Sequence, residues 1–177
     1  RYDLAERFGR RAIEHEPADA WALHAVGHVF EMQGRVIEGA RWQEMSRPIW
    51  SKCNNFSFHM AWHLALFYLA QNRMEEALAL YDVQVRPTQT DDFRDVANAV
   101  SFLWRLRQEG FEVGDRWDGL VELARKRATD TTLVFGSLHH LLTLVAVGDL
   151  TNARILVAKL DECAHALIGD QSSVAAS

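Results

Sequence analysis

One four-position pattern constrains this chain more than any other feature. Gly27, Phe30, Gly34 and Gly39 recur as Ala65, Tyr68, Asn72 and Ala77, and more weakly as Leu141, Leu144, Gly148 and Ala153. Each set runs from a small or apolar residue to an aromatic or apolar one, then a turn residue, then a small residue, at constant spacing. A helix–turn–helix unit reads this way. The small residues let two helices approach, the large one fills the gap beside them, and the turn residue sits where the first helix stops. Such a unit cannot bury its apolar face alone, so units stack.

The rest of the chain agrees with helices throughout. Period-two β-branched runs are missing, and Pro17, Pro48 and Pro87 fall between helical patterns. Pro48 is expected to break the chain before Trp50, and Asn54-Asn55-Phe56-Ser57 reads as a turn. About nine helices in antiparallel pairs are expected, forming one all-α domain over residues 1–168, with residues 169–177 as a frayed tail. Thr90 is expected to cap a long helix from Asp92, and Asp115 the helix after it.

The chemistry-bearing residues concentrate in two of the repeated helices. Trp21-Ala-Leu-His24-Ala-Val-Gly-His28 places two histidines four apart beside a tryptophan, and His59-Met-Ala-Trp62-His63 repeats the device. His24, His28 and Glu31 stand at i, i+4 and i+7, on one helical face that Trp21 extends by a turn. His59 and Trp62 fall on the matching face of the next unit, with His63 one position round. Three readings stay open. In the first, the rings are satisfied packing residues between helices. In the second, they line a polar groove for a ligand or partner. In the third, two helices supply imidazoles to one metal ion, since His at i and i+4 can chelate. The metal reading lacks a His-Glu-x-x-His signature and a nearby cysteine, and no cofactor or metal ligand is assigned.

Elsewhere the signals are weaker. His139-His140 in an apolar segment reads as structural, and His15 and His165 as helix-end residues. Arg105 and Arg116, beside Trp104 and Trp117, read as intramolecular partners of carboxylates. Phosphate loops, a nucleophile elbow and a C-x-x-C-H motif are all lacking. A net charge of −5 gives no basic footprint, so nucleic acid is not an expected partner. No apolar run approaches the ~20 residues of a membrane span. Cys53 and Cys163 form no pair motif, which points to a reducing, cytoplasmic setting. The chain starts at Arg1 near a helix start, so a longer protein is expected.

The four-position pattern resembles the tetratricopeptide repeat, with Ala5, Ala12 and Pro17 matching the end of a preceding unit. The distance from Gly34 to Asn72 is 38 residues against about 34 in that repeat, so the array is irregular. The segment Thr90 to Ala128 matches the pattern poorly. The Trp/His segments, with Glu38-Gly39, Trp50, Leu80-Tyr81-Asp82, Leu103-Trp104-Arg105-Leu106 and Gly114-Asp115-Arg116-Trp117, resemble the tetratricopeptide repeat protein 38 family over roughly Ala5 to Gly148. The resemblance implies a right-handed α-solenoid and assigns no reaction. A protein- or peptide-binding scaffold is then the leading expectation, its concave face lined by Trp21, His24, His28, Glu31, His59, Trp62 and His63. An enzyme or small-ligand binder using the same cluster, with or without a divalent metal, is the alternative. Uncapped end repeats leave room for self-association.

Overall fold

The computed structural model describes residues 1–166; the tail expected over 169–177 lies outside the described residues. Among the described residues there are nine α-helices and no strand. The chain expected to form one repeat domain over residues 1–168 divides into two compact units, Arg1–Thr88 and Gln89–Ser177.

The first unit contains α1 (Tyr2–His15), α2 (Ala20–Met32), α3 (Val36–Trp50), α4 (Phe56–Ala70) and α5 (Met74–Leu80), the last running into a π-helical turn, Tyr81–Val85. Each helix packs on the next in sequence, and α2 also touches α4. That skip contact sets the site, because it brings the two histidine-bearing helices side by side. Asp19 starts α2 by accepting from the backbone N–H groups of Trp21 and Ala22. Helix α4 is apolar on nearly every side because it packs on α3, on α5 with its π turn, and on α2. Met60, Ala61, Leu64 and Ala65 are fully buried there.

The second unit contains α6 (Phe93–Gln108), a 3₁₀ turn (Gly114–Trp117), α7 (Asp118–Lys126), α8 (Val134–Ala146) and α9 (Leu150–His165). Here α8 is the hub, packed against α6, α7 and α9. Its core joins Ala124, Val134, Leu144, Ala153, Leu156 and Leu160.

The repeat's turns close in one way. Gly34, Asn72 and Gly148 all have positive φ, at 67°, 61° and 74°. At each turn the next residue's N–H reaches back five positions: Arg35 to Phe30 O, Arg73 to Tyr68 O and Asp149 to Leu144 O. This is the Schellman closure, which needs a left-handed residue and so favours Gly or Asn. Gly110, at φ 73°, closes α6 identically, with Phe111 N–H donating to Leu106 O. The segment that matched the repeat poorly therefore shares its turn.

Four local expectations are corrected. Pro48 does not end its helix, since α3 runs through it to Trp50. Its missing N–H costs the helix only the bond to Glu44 O; in the same turns Ser46 Oγ donates to Trp42 O, and Trp50 Nε1 to Gln43 O at 2.9 Å. Phe56 opens α4 rather than lying in a turn. Asp92, not Thr90, caps α6, accepting from Arg94 N–H; Thr90 Oγ1 donates to Asp95 Oδ2 instead. Asp115 lies within the 3₁₀ turn that leads into α7. No helix of the described residues is long and apolar enough to cross a membrane.

Candidate metal centre

The contact between α2 and α4 gathers the histidines of both. His24 Nε2 lies 3.0 Å from His59 Nε2 and 3.1 Å from His63 Nε2, and His59 and His63 are 3.2 Å apart through the same atoms. Adding His28, each ring offers a nitrogen within 4.8 Å of the others. The i, i+4 spacing does this work. One turn of helix sets His59 above His63 and His24 above His28, and the skip contact turns the two pairs toward each other.

Burial grades across the cluster. His63 is 1% exposed, His24 and His59 are half-buried, and His28 is exposed. Burial first, then the neighbouring imidazoles of His63, His28 and His59, pushes His24 down to about 3. Burial likewise pushes His63 down to about 4, opposed by the Glu31 carboxylate and reinforced by His59. Both rings are neutral at pH 7, so each has one bare nitrogen.

Glu31 decides which nitrogen that is on His63. Its Oε2 accepts from His63 Nδ1 at 3.0 Å. A carboxylate only accepts, so the Nδ1 of His63 carries the hydrogen and its Nε2 presents a lone pair to His24 and His59. A carboxylate on the far nitrogen is also the device that orients metal-ligating histidines in proteins generally. The same Glu31 oxygen lies 3.8 Å from His28 Nδ1.

Three nitrogens in mutual contact are hard to satisfy with protons. A neutral ring carries one N–H, which points at one neighbour, so no assignment of hydrogens makes all three sides of the triangle good hydrogen bonds. A single cation does satisfy all three. At metal–nitrogen distances near 2.0–2.1 Å, neighbouring nitrogens stand about 3.3–3.4 Å apart around a tetrahedral ion and about 2.8–3.0 Å around an octahedral one. The observed sides of 3.0–3.2 Å fall between these values.

Aromatic rings wall the cluster. Trp62 stacks on His59 at 5.3 Å and meets His63 edge-on at 4.8 Å. Trp21 stacks on Phe56 at 4.1 Å, and Phe56 meets His24 edge-on. All seven residues singled out in the sequence thus meet around one point. His63 is not turned aside from the face but is its deepest member. Phe56 was missed; its signal was the i, i+3, i+7 spacing with His59 and His63. A separate cavity of about 520 Å³, lined by Arg47, Trp50, Phe58 and Gln84 among others, shares no lining residue with the cluster.

The other candidates do not converge. His139 Nδ1 donates to Phe135 O at 2.7 Å, while His140 is buried apart from it. Arg105 donates to Ser101 O and Arg116 to Val113 O, each within its own segment. No protein-family model matches this chain, and no solved structure shows a significant match.

Proposed function

We propose that the first unit is a binding module for a divalent transition-metal ion, built on helix pairs of the tetratricopeptide type. The observation that carries this reading is the triangle of Nε2 atoms from His24, His59 and His63, 3.0–3.2 Å apart, with a ring nitrogen of His28 within 4.8 Å. An all-imidazole donor set suits zinc, copper, iron or nickel rather than calcium or magnesium. A bound ion would supply Lewis acidity and an activated water, which makes an enzyme the natural extension. The test is elemental analysis of protein purified without a metal-affinity tag, followed by zinc titration of chelator-treated protein. One equivalent of metal is expected, lost in a His24→Ala/His63→Ala double variant that remains helical. A wild-type protein that retains no metal and takes up none at micromolar zinc overturns the reading.

The repeat relationship is part of the same proposal. Its support is the shared left-handed turn at Gly34, Asn72 and Gly148. In a right-handed solenoid of such units, α2 and α4 are the first helices of successive repeats, and the side bearing the cluster is the concave face. Free Cys53 and Cys163 suit a reducing, cytoplasmic setting.

Trp21 favours a second reading, the peptide-binding scaffold. It is 68% exposed beside the cluster, an unusual outlay of aromatic surface that a partner's side chain would cover. A Trp21→Ala variant that folds and still captures every protein held by the wild type overturns this second reading.

A further inference from the structure

We infer that the ion is held by three histidines only, His24, His59 and His63, and that its remaining coordination positions are open to an exchangeable anionic oxygen ligand such as a carboxylate. The inference rests on the metal reading above and divides the four histidines by role.

Geometry separates them. The three Nε2 atoms of His24, His59 and His63 form a near-equilateral triangle with sides of 3.0, 3.1 and 3.2 Å. One ion capping that triangle meets all three at ordinary bond lengths. Including His28 spreads the set to 4.8 Å. That exceeds even the about 4.0–4.2 Å between opposite ligands of an octahedral ion with bonds near 2.0–2.1 Å. His28 instead packs edge-on against His24 and His63, with ring centroids at 4.3 and 4.5 Å, and its Nδ1 faces Glu31.

Exposure says where the opening lies. His63, at the bottom, is 1% exposed, whereas the side chains of His28 and Glu31 are 47% and 32% exposed. Ligands on one triangular face leave the opposite positions free, as in catalytic zinc sites with three protein ligands, and unlike closed four-ligand structural sites.

Charge says what fills it. Three neutral imidazoles bring no negative charge to a doubly charged ion, and Glu31 sits behind His63 rather than in the ligand triangle. The centre keeps net positive charge, so an anionic oxygen is preferred to a neutral donor. Glu31 is then a positioning residue, holding the His63 hydrogen on Nδ1, and His28 is an exposed neighbour of the ligand triangle.

Cobalt(II) tests this, because its visible absorption reports coordination. Chelator-treated protein is loaded with one equivalent of Co(II) and titrated with sodium acetate and, separately, sodium azide. A saturable change in band position and intensity with both anions is expected. His28→Ala is expected to bind one equivalent within about tenfold of wild-type affinity. His59→Ala should fall by more than the roughly 10–100-fold that losing an outer-shell partner costs. Glu31→Ala should fall within that outer-shell range, with Glu31→Gln, which still accepts from Nδ1, partly restored. Overturning results are a spectrum blind to both anions together with loss of cobalt in His28→Ala equal to that in His59→Ala. Those would define a closed four-histidine site and leave the metal reading standing. No cobalt uptake by the wild type overturns both.

Discussion

Helices α4 and α8 are both apolar, both buried, and both carry two histidines, yet of the two only α4 contributes to a histidine cluster. His59 and His63 are four residues apart and share a face; His139 and His140 are adjacent and splay by about 100° around the helix axis. The neighbours differ as well. Helix α4 lies against α2, which brings a second histidine pair, while α6 and α7 bring none to α8 and α9 has only His165, at its end. The consequence is visible in how each imidazole is satisfied. His139 is spent on a backbone carbonyl one turn back. His140 has an Nδ1 atom buried without a partner. In α4 the ring nitrogens meet other ring nitrogens. Imidazoles in an apolar helix become a donor set only when the spacing and the facing helix agree.

The tight packing around α4 gives the largest test of this difference. Gly39 on α3 and Ala153 on α9 hold the same repeat position. A Cβ on Gly39 would overlap the Phe67 ring of α4, and both residues are buried. The α3 position accepts no methyl against Phe67, whereas the α9 position already holds one. Gly39→Ala is expected to destabilise by about 1–3 kcal/mol through overpacking, despite alanine's better helix propensity. Ala153→Gly should cost only about 1 kcal/mol, from propensity and a lost methyl contact. Urea denaturation of both variants settles it. A Gly39→Ala protein as stable as wild type would mean that α3 and α4 do not approach as described.

Acid should separate the two units by chemistry. Burial, then the charge of Arg127 and the neighbouring His139, pushes His140 down from 6.5 to about 4, with Asp130 opposing. The folded state therefore binds fewer protons than the unfolded state between these values. Stability is at its full value above about 6.5 and falls as pH drops toward about 4. His24 and His63 act in the same direction in the first unit. His140→Leu should flatten the acid dependence of the second unit's melting, and leave that of the first. Thermal melts at pH 7 and pH 5 with a unit-specific probe check this; an unchanged slope in His140→Leu would show that His140 is not held neutral by the fold.

Much of this was legible in the residues, and the failures have physical reasons. The turns could be read because a left-handed residue strongly selects Gly or Asn, which leaves a mark at single positions. Gly110 escaped because the segment after it begins with a 3₁₀ turn rather than a helix, which shifts the spacing. Pro48 misled because a proline removes a single backbone bond, here the one to Glu44 O, and the packing of α3 on α2 and α4 carries the helix through that loss. At the site, residue types and faces were legible from i, i+4 spacing. The nitrogen triangle was not, because it depends on how closely α2 and α4 lie, across 35 and 39 residues of sequence. Glu31 shows the limit well. Spacing grouped it with His24 and His28 on its own helix, yet its carboxylate accepts from His63 across on α4.

The smallest expected effect concerns Asn72, the one described non-glycine residue with positive φ. Gly34 closes the equivalent turn of the first repeat and Gly148 that of the second unit, so Asn72 is the natural variant of a glycine position. Asparagine tolerates the left-handed region better than other residues with a Cβ, but less well than glycine. Asn72→Gly relieves that strain and at the same time gives the unfolded chain more freedom, worth roughly 0.4–1 kcal/mol in the opposite sense. The two nearly cancel, so a change of only a few tenths of a kcal/mol is expected. Asn72→Ala keeps the strain, loses the polar side chain that eases it, and should cost about 1 kcal/mol. Gly148→Ala in the second unit should cost about 1–2 kcal/mol, because alanine there adds a Cβ to a left-handed residue that now has none. The ordering Asn72→Gly, then Asn72→Ala, then Gly148→Ala is what the shared turn requires, read as successive drops in melting temperature. If Asn72→Ala proved as stable as Asn72→Gly, the turn between α4 and α5 would not hold the left-handed residue that closes the turns at Gly34 and Gly148.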